Sequence, residues 1–192
     1  PYNINFKNIV HYEKNSDFSQ SVLLAVLEEK NITEREKYCV AHLFNLIFGT
    51  GGSNNKLFTY LREQNSLCYS VNSDFYLCCN IFLIGTGIKI KDKNKTISLI
   101  KKALKDMQSG NFSGKDLDIA KKNLKFSITC SNDSILGYLS DLENVEIYHM
   151  YCDEELLSII DSVTKEEIVA FANKLYYRGE YVLKEKSTNE EN

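Results

Sequence analysis

Apolar residues recur along this chain in two rhythms, and the switches between them mark its elements. Residues 18–29, FSQSVLLAVLEE, are rich in Val and Leu and read as a buried strand. Residues 31–49 change to helical spacing: Val40, Leu43, Phe44 and Ile47 form one stripe, Thr33 and Glu36 fit a capping box, and Gly49 ends the run. A short helix follows over 54–63, with Ser53 or Asn54 placed to cap it. Residues 66–88 read as two strands around a turn at Asn72–Asp74, which is too tight for a crossover and so predicts an antiparallel hairpin.

The second half is mostly helical. Ile97, Ile100, Leu104 and Met107 share one side of a helix over 94–110 that Gly110 closes. Ser113 and Asp116 are spaced as a capping pair for a helix over 113–129, lined by Leu117, Ala120, Leu124 and Ile128. Further helices are expected over 132–151, 153–162 and 164–176, the last boxed by Thr164 and Glu167. A strand over 179–186 ends the pattern. This order predicts one α+β domain over residues 18–186, with a mostly antiparallel sheet covered on one face by helices. Residues 1–17 read as an N-terminal arm or linker remnant, and 187–192 as a polar tail.

Composition narrows the function classes. The chain has 192 residues, 43% of them apolar, and a net charge of -3. That supplies a core and argues against broad nucleic-acid binding. No apolar run is long enough for a membrane helix. The chain opens on Pro1, as expected of a processed chain or a piece of a larger one. The six cysteines are irregularly spaced, which points to reduced thiols and a cytoplasmic protein. Cys78 and Cys79, read as strand neighbours, would face opposite ways. The lysines over 89–105 are interleaved with Asp92 and Asp106, the pattern of a solvated face rather than a nucleic-acid groove.

Candidate chemistry centres on GTGGSNNKLFTYLREQNSLCYSV, residues 49–71. Its glycines do not make a phosphate loop, because Lys56 is followed by Leu57 and a helix, not a strand, leads in. They read as a helix-ending turn or as a loop left open to a peptide backbone. Among the three histidines, His42 reads as a packing residue. His149 and Cys152, with Glu146 and Glu154, can share a helix face, but a structural zinc asks for four ligands. No metal site is expected in this chain. Arg62, one of three arginines, offers a planar fork of donors, and Tyr69 a phenolic hydroxyl. They converge if the turn at EQNS is tight. Otherwise Arg62 pairs with Glu36 or Glu63, and Tyr69 packs in the sheet.

The stretch resembles the second-domain signature of the insulinase/pitrilysin-like zinc metallopeptidase superfamily, which includes mitochondrial processing peptidase. The resemblance rests on GTGGSNNKLF, LRE at 61–63 and LCYSV at 67–71, and extends over about residues 18–185. It is strongest toward a bacterial, Firmicutes- or mycoplasma-like branch in which some members lack the zinc motif. It implies a domain that binds no zinc and completes a peptide chamber. Arg62 and Tyr69 would then hold the substrate carbonyl and stabilise the tetrahedral intermediate. Gly51, Gly52, Ser53 and Ser70 would shape the loop or line the chamber. Zinc would sit on a partner domain, and the partners would be an N-terminal-side domain, a second peptidase-like half and a peptide substrate. No H-x-x-E-H occurs here, and Asn55 stands where many relatives carry Ser, which puts the loop's tightness in question.

Overall fold

The strand expected near residue 20 forms over Ser21–Glu29 and takes the centre of a five-stranded sheet. In the computed structural model, which describes residues 9–132, 134–147 and 150–186, this strand is β2. The others are β1 (Val10–Asn15), β3 (Val71–Tyr76), β4 (Ile81–Ile88) and β5 (Leu175–Lys184). Their spatial order is β1-β5-β2-β4-β3. β1 runs parallel to β5 and the other pairings are antiparallel, so the sheet is mixed.

The helix α1 runs over 36–50, through segments Glu36–Val40, Ala41–Asn45 and Leu46–Thr50, the first and last wound as wider π-type turns. α2 covers 56–63, as Lys56–Phe58 and Thr59–Glu63. Then come α3 (Lys93–Gln108), α4 (Gly114–Asn132), α5 (Ile135–Glu146), α6 (Asp153–Ser162) and α7 (Lys165–Ala172). The fold is α+β, as the pattern predicts.

Period-two alternation sorts the sheet into two faces. Leu23, Ala25 and Leu27 of β2 and Phe82, Ile84 and Ile88 of β4 are fully buried. The alternate residues Val22, Leu24, Val26, Ile81 and Leu83 are half-buried. On the covered face, Phe44 of α1 meets Phe48, Phe82 and Phe171, with ring centroids 5.1, 5.3 and 5.4 Å apart. Ile97, Ile100, Leu104 and Met107 of α3 complete this core. Fully burying each such side chain contributes about 1.5–3 kcal/mol.

The capping signals hold. The Thr33 amide donates to the Glu36 carboxylate at 2.9 Å, and the Glu36 amide to Thr33 Oγ1 at 3.2 Å. Ser113 with Asp116, and Thr164 with Glu167, exchange the same pair of bonds.

Several boundaries differ from the pattern. The β3–β4 turn falls at Leu77–Asn80, not at Asn72–Asp74. Ser73 is fully buried inside β3 with its polar groups bonded, while Asn72 and Asp74 point to solvent. The helix expected over 164–176 stops at Ala172, and Leu175–Tyr177 already belong to β5. α5 stops at Glu146, short of residue 151. His149 and the tail 187–192 lie outside the described residues.

Residues 10–15 of the expected arm form the edge strand β1. Its side chains are exposed, and Tyr12 stacks on Tyr181 at 4.9 Å. At Gly179 (φ +144°) the backbone comes so close that a Cβ would lie 1.9 Å from the Val10 carbonyl oxygen. His11 Nδ1 meets the buried Glu180 carboxylate at 2.6 Å. Lys184 and Lys93 hydrogen-bond Glu13 and pull its carboxyl down to about 2.

Candidate functional site

The glycine-rich loop joins α1 to α2. Gly49 does not end α1, which continues to Thr50. It is instead the point where α1 presses on β3: a Cβ there would sit 2.5 Å from the Ser73 Cβ and 2.8 Å from Leu57. The contact is clamped by polar groups. Asn45 Nδ2 donates to the Ser73 carbonyl at 2.7 Å, Ser73 Oγ donates to Asn45 Oδ1 at 2.7 Å, and Thr50 Oγ1 bonds the same carbonyl. At Gly51 a Cβ would lie 2.0 Å from the Leu46 carbonyl oxygen. Gly52 adopts a left-handed φ of +74° in open space.

α2 is capped by Asn55, not by Ser53 or Asn54. Asn55 Oδ1 accepts from the Phe58 amide at 2.8 Å, and Asn55 Nδ2 donates to the Gly52 carbonyl at 2.6 Å. The side chain is 3% exposed. It caps the helix as a serine would and also ties down the loop, a second bond that a hydroxyl acceptor does not supply in this geometry.

At the other end, α2 closes in a tight left-handed turn. The Ser66 amide donates to the Arg62 carbonyl at 2.9 Å and the Leu67 amide to the Leu61 carbonyl at 2.8 Å, with Ser66 at φ 51°. The bond from the Ser66 amide to the Arg62 carbonyl is that of the αL helix cap, with serine at the position that usually takes glycine. Asn65 Nδ2 braces it by donating to the Tyr60 carbonyl at 2.8 Å. Tyr60 in turn bonds Asp106 of α3, which pushes the phenol up to about 12.

The turn brings Arg62 and Tyr69 together. Arg62 Nη1 donates to the Tyr69 carbonyl at 2.8 Å. The guanidinium lies between two rings, with its carbon 4.7 Å from the Tyr69 centroid and 5.0 Å from the Phe58 centroid. Each such contact contributes about 0.5–1 kcal/mol at an exposed site. Neither bland alternative holds: Glu36 pairs with Lys174 at 2.6 Å, and Tyr69 is 80% exposed rather than packed in the sheet. Among the described residues, that single bond to Tyr69 is the only hydrogen bond Arg62 makes, and it makes no ion pair. The rest of its donor fork is unengaged.

Phe58, Glu63, Ser66 and Cys68 line the same open depression as Arg62 and Tyr69. Sequence reasoning missed all four. Phe58 was readable, since it precedes Arg62 by four residues on one helix. Ser70 lies beside the pair, and its carbonyl accepts from Thr86 Oγ1 at 2.9 Å, which fixes the approach to β3. Gly51, Gly52 and Ser53 sit at the opposite end of α2, about 9 Å or more away along its axis. Gly51 borders a recess with Leu46, Asp116 and Asn123 instead.

Among the described residues the donor set does not suit zinc. His11 is engaged by Glu180. His42 is half-buried edge-on to Phe75, and burial lowers its pKa. His42, Asp141 and Asp153 border one cavity with Tyr38 and Ile128. Among the described residues, however, no three His, Cys, Asp or Glu side chains converge as a metal site. No described helix is long and apolar enough to cross a membrane.

Residues 1–124 match the family described as the peptidase M16 inactive domain. A Bacillus subtilis protein named as the probable inactive metalloprotease YmfF is 29% identical over 154 residues, 78% of this chain and 35% of that protein. An uncharacterised zinc protease of Rickettsia bellii is 22% identical over 166 residues, 84% of this chain and 40% of that protein. The chain thus spans well under half the length of these relatives. A conserved protein of Enterococcus faecalis shares the fold with a TM-score of 0.90 at 24% identity, over 98% of this chain and 45% of that one. The peptidase M16 inactive domain of Pseudomonas fluorescens does so at 0.75 and 19%, over 93% and 44%. With its sequence matched over most of its length, the chain belongs to the peptidase M16 inactive domain family.

Proposed function

We propose that this chain is the C-terminal-side domain of a larger M16 peptidase-like protein, and that Arg62 and Tyr69 hold the main chain of an extended peptide there. The observation that carries this is the state of Arg62. A guanidinium fixed between two rings by one carbonyl, with its other donors unengaged, is pre-organised to bind carbonyl oxygens. The exposed Tyr69 hydroxyl adds a donor beside it. Such bonds strengthen as a carbonyl oxygen gains negative charge, so the pair favours the tetrahedral intermediate over the substrate.

The chain on its own has no hydrolytic activity in this reading. Zinc belongs to another domain or subunit, and this chain contributes binding and orientation alone. The half-buried apolar strip Val22, Leu24, Val26 and Leu83 suits the wall of an enclosed peptide chamber. α5 exposes Ile135, Leu136, Tyr138 and Leu139, the kind of apolar surface that a domain presents to a neighbour in a larger assembly. The Bacillus and Enterococcus relatives support a Firmicutes-like placement, and the unpaired cysteine pattern a cytoplasmic one.

A second reading is that the whole protein is a catalytically inactive homologue that scaffolds or binds peptides. The Bacillus relative's name as a probable inactive metalloprotease favours it. An H-x-x-E-H in the remainder of the protein or in a partner subunit separates the two. The test is peptide cleavage by the full-length protein or complex supplied with zinc. Arg62→Ala is expected to lower kcat/KM by about 100-fold and Tyr69→Phe by about tenfold. Unchanged turnover in both rejects the assigned roles.

A further inference from the structure

The turn Leu77–Asn80 places Cys78 and Cys79 with their sulfurs 3.4 Å apart. Strand neighbours would face opposite ways, and that was the expectation for this pair. Here the chain is reversing direction instead, so both thiols come together. The Cys79 amide donates to the Tyr76 carbonyl at 3.2 Å, and Asn80 follows at a left-handed φ of 54°. Cys78 is exposed and Cys79 half-buried, so the pair is open to small solutes. Elsewhere among the described residues the cysteines stand singly. Cys39 is buried in the core, and burial pushes its thiol up to about 11; Cys130 is an exposed lone thiol on α4.

We propose that Cys78 and Cys79 form a dithiol–disulfide couple, an exchange site at the hairpin tip for small disulfides of the glutathione class. The Cys78 thiolate attacks one sulfur of the donor. The donor's S–S bond breaks, and one donor thiol leaves, taking up a proton. Cys79 then loses its proton to solvent and attacks the Cys78 sulfur, expelling the second donor thiol. Two protein thiols are oxidised by two electrons, and one donor disulfide is reduced to two thiols.

Geometry sets the character of this couple. Consecutive Cα atoms are about 3.8 Å apart, below the roughly 4.4–6.8 Å of ordinary disulfides. The ring is therefore strained, and strained, exposed disulfides are the readily reduced ones. The turn accommodates the strain better than a strand would, because few ladder bonds cross it. The tip lies at the far end of β3 from Tyr69, about 20 Å of strand away. Exchange there leaves the Arg62–Tyr69 pair in place.

The test is equilibration of the full chain with reduced and oxidised glutathione, acid quenching, alkylation and peptide mass mapping. The expected result is a peptide containing Cys78 and Cys79 that has lost two hydrogens and carries neither alkyl group nor glutathione. Reduction reverses it. Cys130 serves as an internal standard and takes up glutathione in the same samples. Cys78→Ser and Cys79→Ser each leave a thiol that holds glutathione stably, with an unchanged circular dichroism spectrum. Wild-type chain that accumulates glutathione at 78 or 79 without closing the ring overturns the proposal. So does a pair that stays fully alkylatable while Cys130 is modified.

Discussion

The two ends of α2 differ both in what the sequence shows and in what the physics makes of it. At the N-terminal end, glycines and polar residues suggest a binding loop, yet the groups that matter there are turned inward. Gly49 and Gly51 are small because backbone and side chains crowd them, and Asn55 uses both ends of its amide on the protein itself. At the C-terminal end one of the chain's three arginines and a tyrosine are the candidates. There an arginine is fixed by its surroundings and left with free donors, beside an exposed tyrosine. Pre-organisation without satisfaction separates a site from a joint: a satisfied polar group stabilises the fold, while a fixed and unsatisfied one waits for a ligand.

The largest effect is expected at the crowded end. Gly49→Ala drives a methyl into Ser73 and Leu57 and should cost about 3 kcal/mol, near the upper range of overpacking. Denaturant unfolding measures it. A loss under 1 kcal/mol would mean that the α1–β3 contact is loose and the loop is free for another role.

Glu29 shows what Asn55 avoids. Its carboxylate is 5% exposed and has no hydrogen-bond partner among the described residues. Burial, then the nearby charge of Glu36, raises its pKa to about 8, with Lys174 opposing. The unfolded chain releases this proton near the ordinary value of 4.5, while the folded chain keeps it. Stability therefore falls as pH rises from about 4.5 to about 8 and levels off above. Glu29→Gln should flatten that slope in unfolding curves taken across the window. An unchanged slope would place the proton elsewhere.

Asn55→Ala should cost about 1–2 kcal/mol through the lost cap and the orphaned Gly52 carbonyl, and Asn55→Ser less. Equal losses for the two would mean that the cap contributes nothing, and no loss for Asn55→Ser that the second bond contributes nothing. Ser66→Gly should raise stability by about 0.5–1 kcal/mol, because glycine takes the left-handed angle without strain. Destabilisation there would mean that the Ser66 side chain has a role the turn does not reveal.

Much of the fold was legible because local rules decided it. The three capping pairs and the stripes of α1 and α3 are short-range features, and they formed where they were read. What failed depended on distant partners. β1 is polar and exposed, and it is a strand only because β5, some 170 residues later, offers an edge at Gly179. Asn72–Asp74 has turn composition, yet Ser73 is held inside by Asn45 of α1. The convergence of Arg62 and Tyr69 was one of two outcomes their spacing left open, conditional on a tight turn at EQNS. Its tightness depended on Ser66 accepting a left-handed angle, for which the sequence carries no glycine signal.

The central claim concerns Arg62, and the smallest stability effect accompanies it. The most direct measurement is binding of an extended peptide to the full-length protein, wild type against Arg62→Ala, with unfolding midpoints recorded on the same samples. The expected result is a loss of affinity of about tenfold or more with stability changed by less than about 0.5 kcal/mol. Unaltered affinity, or a loss of affinity that only tracks a loss of stability, would contradict it.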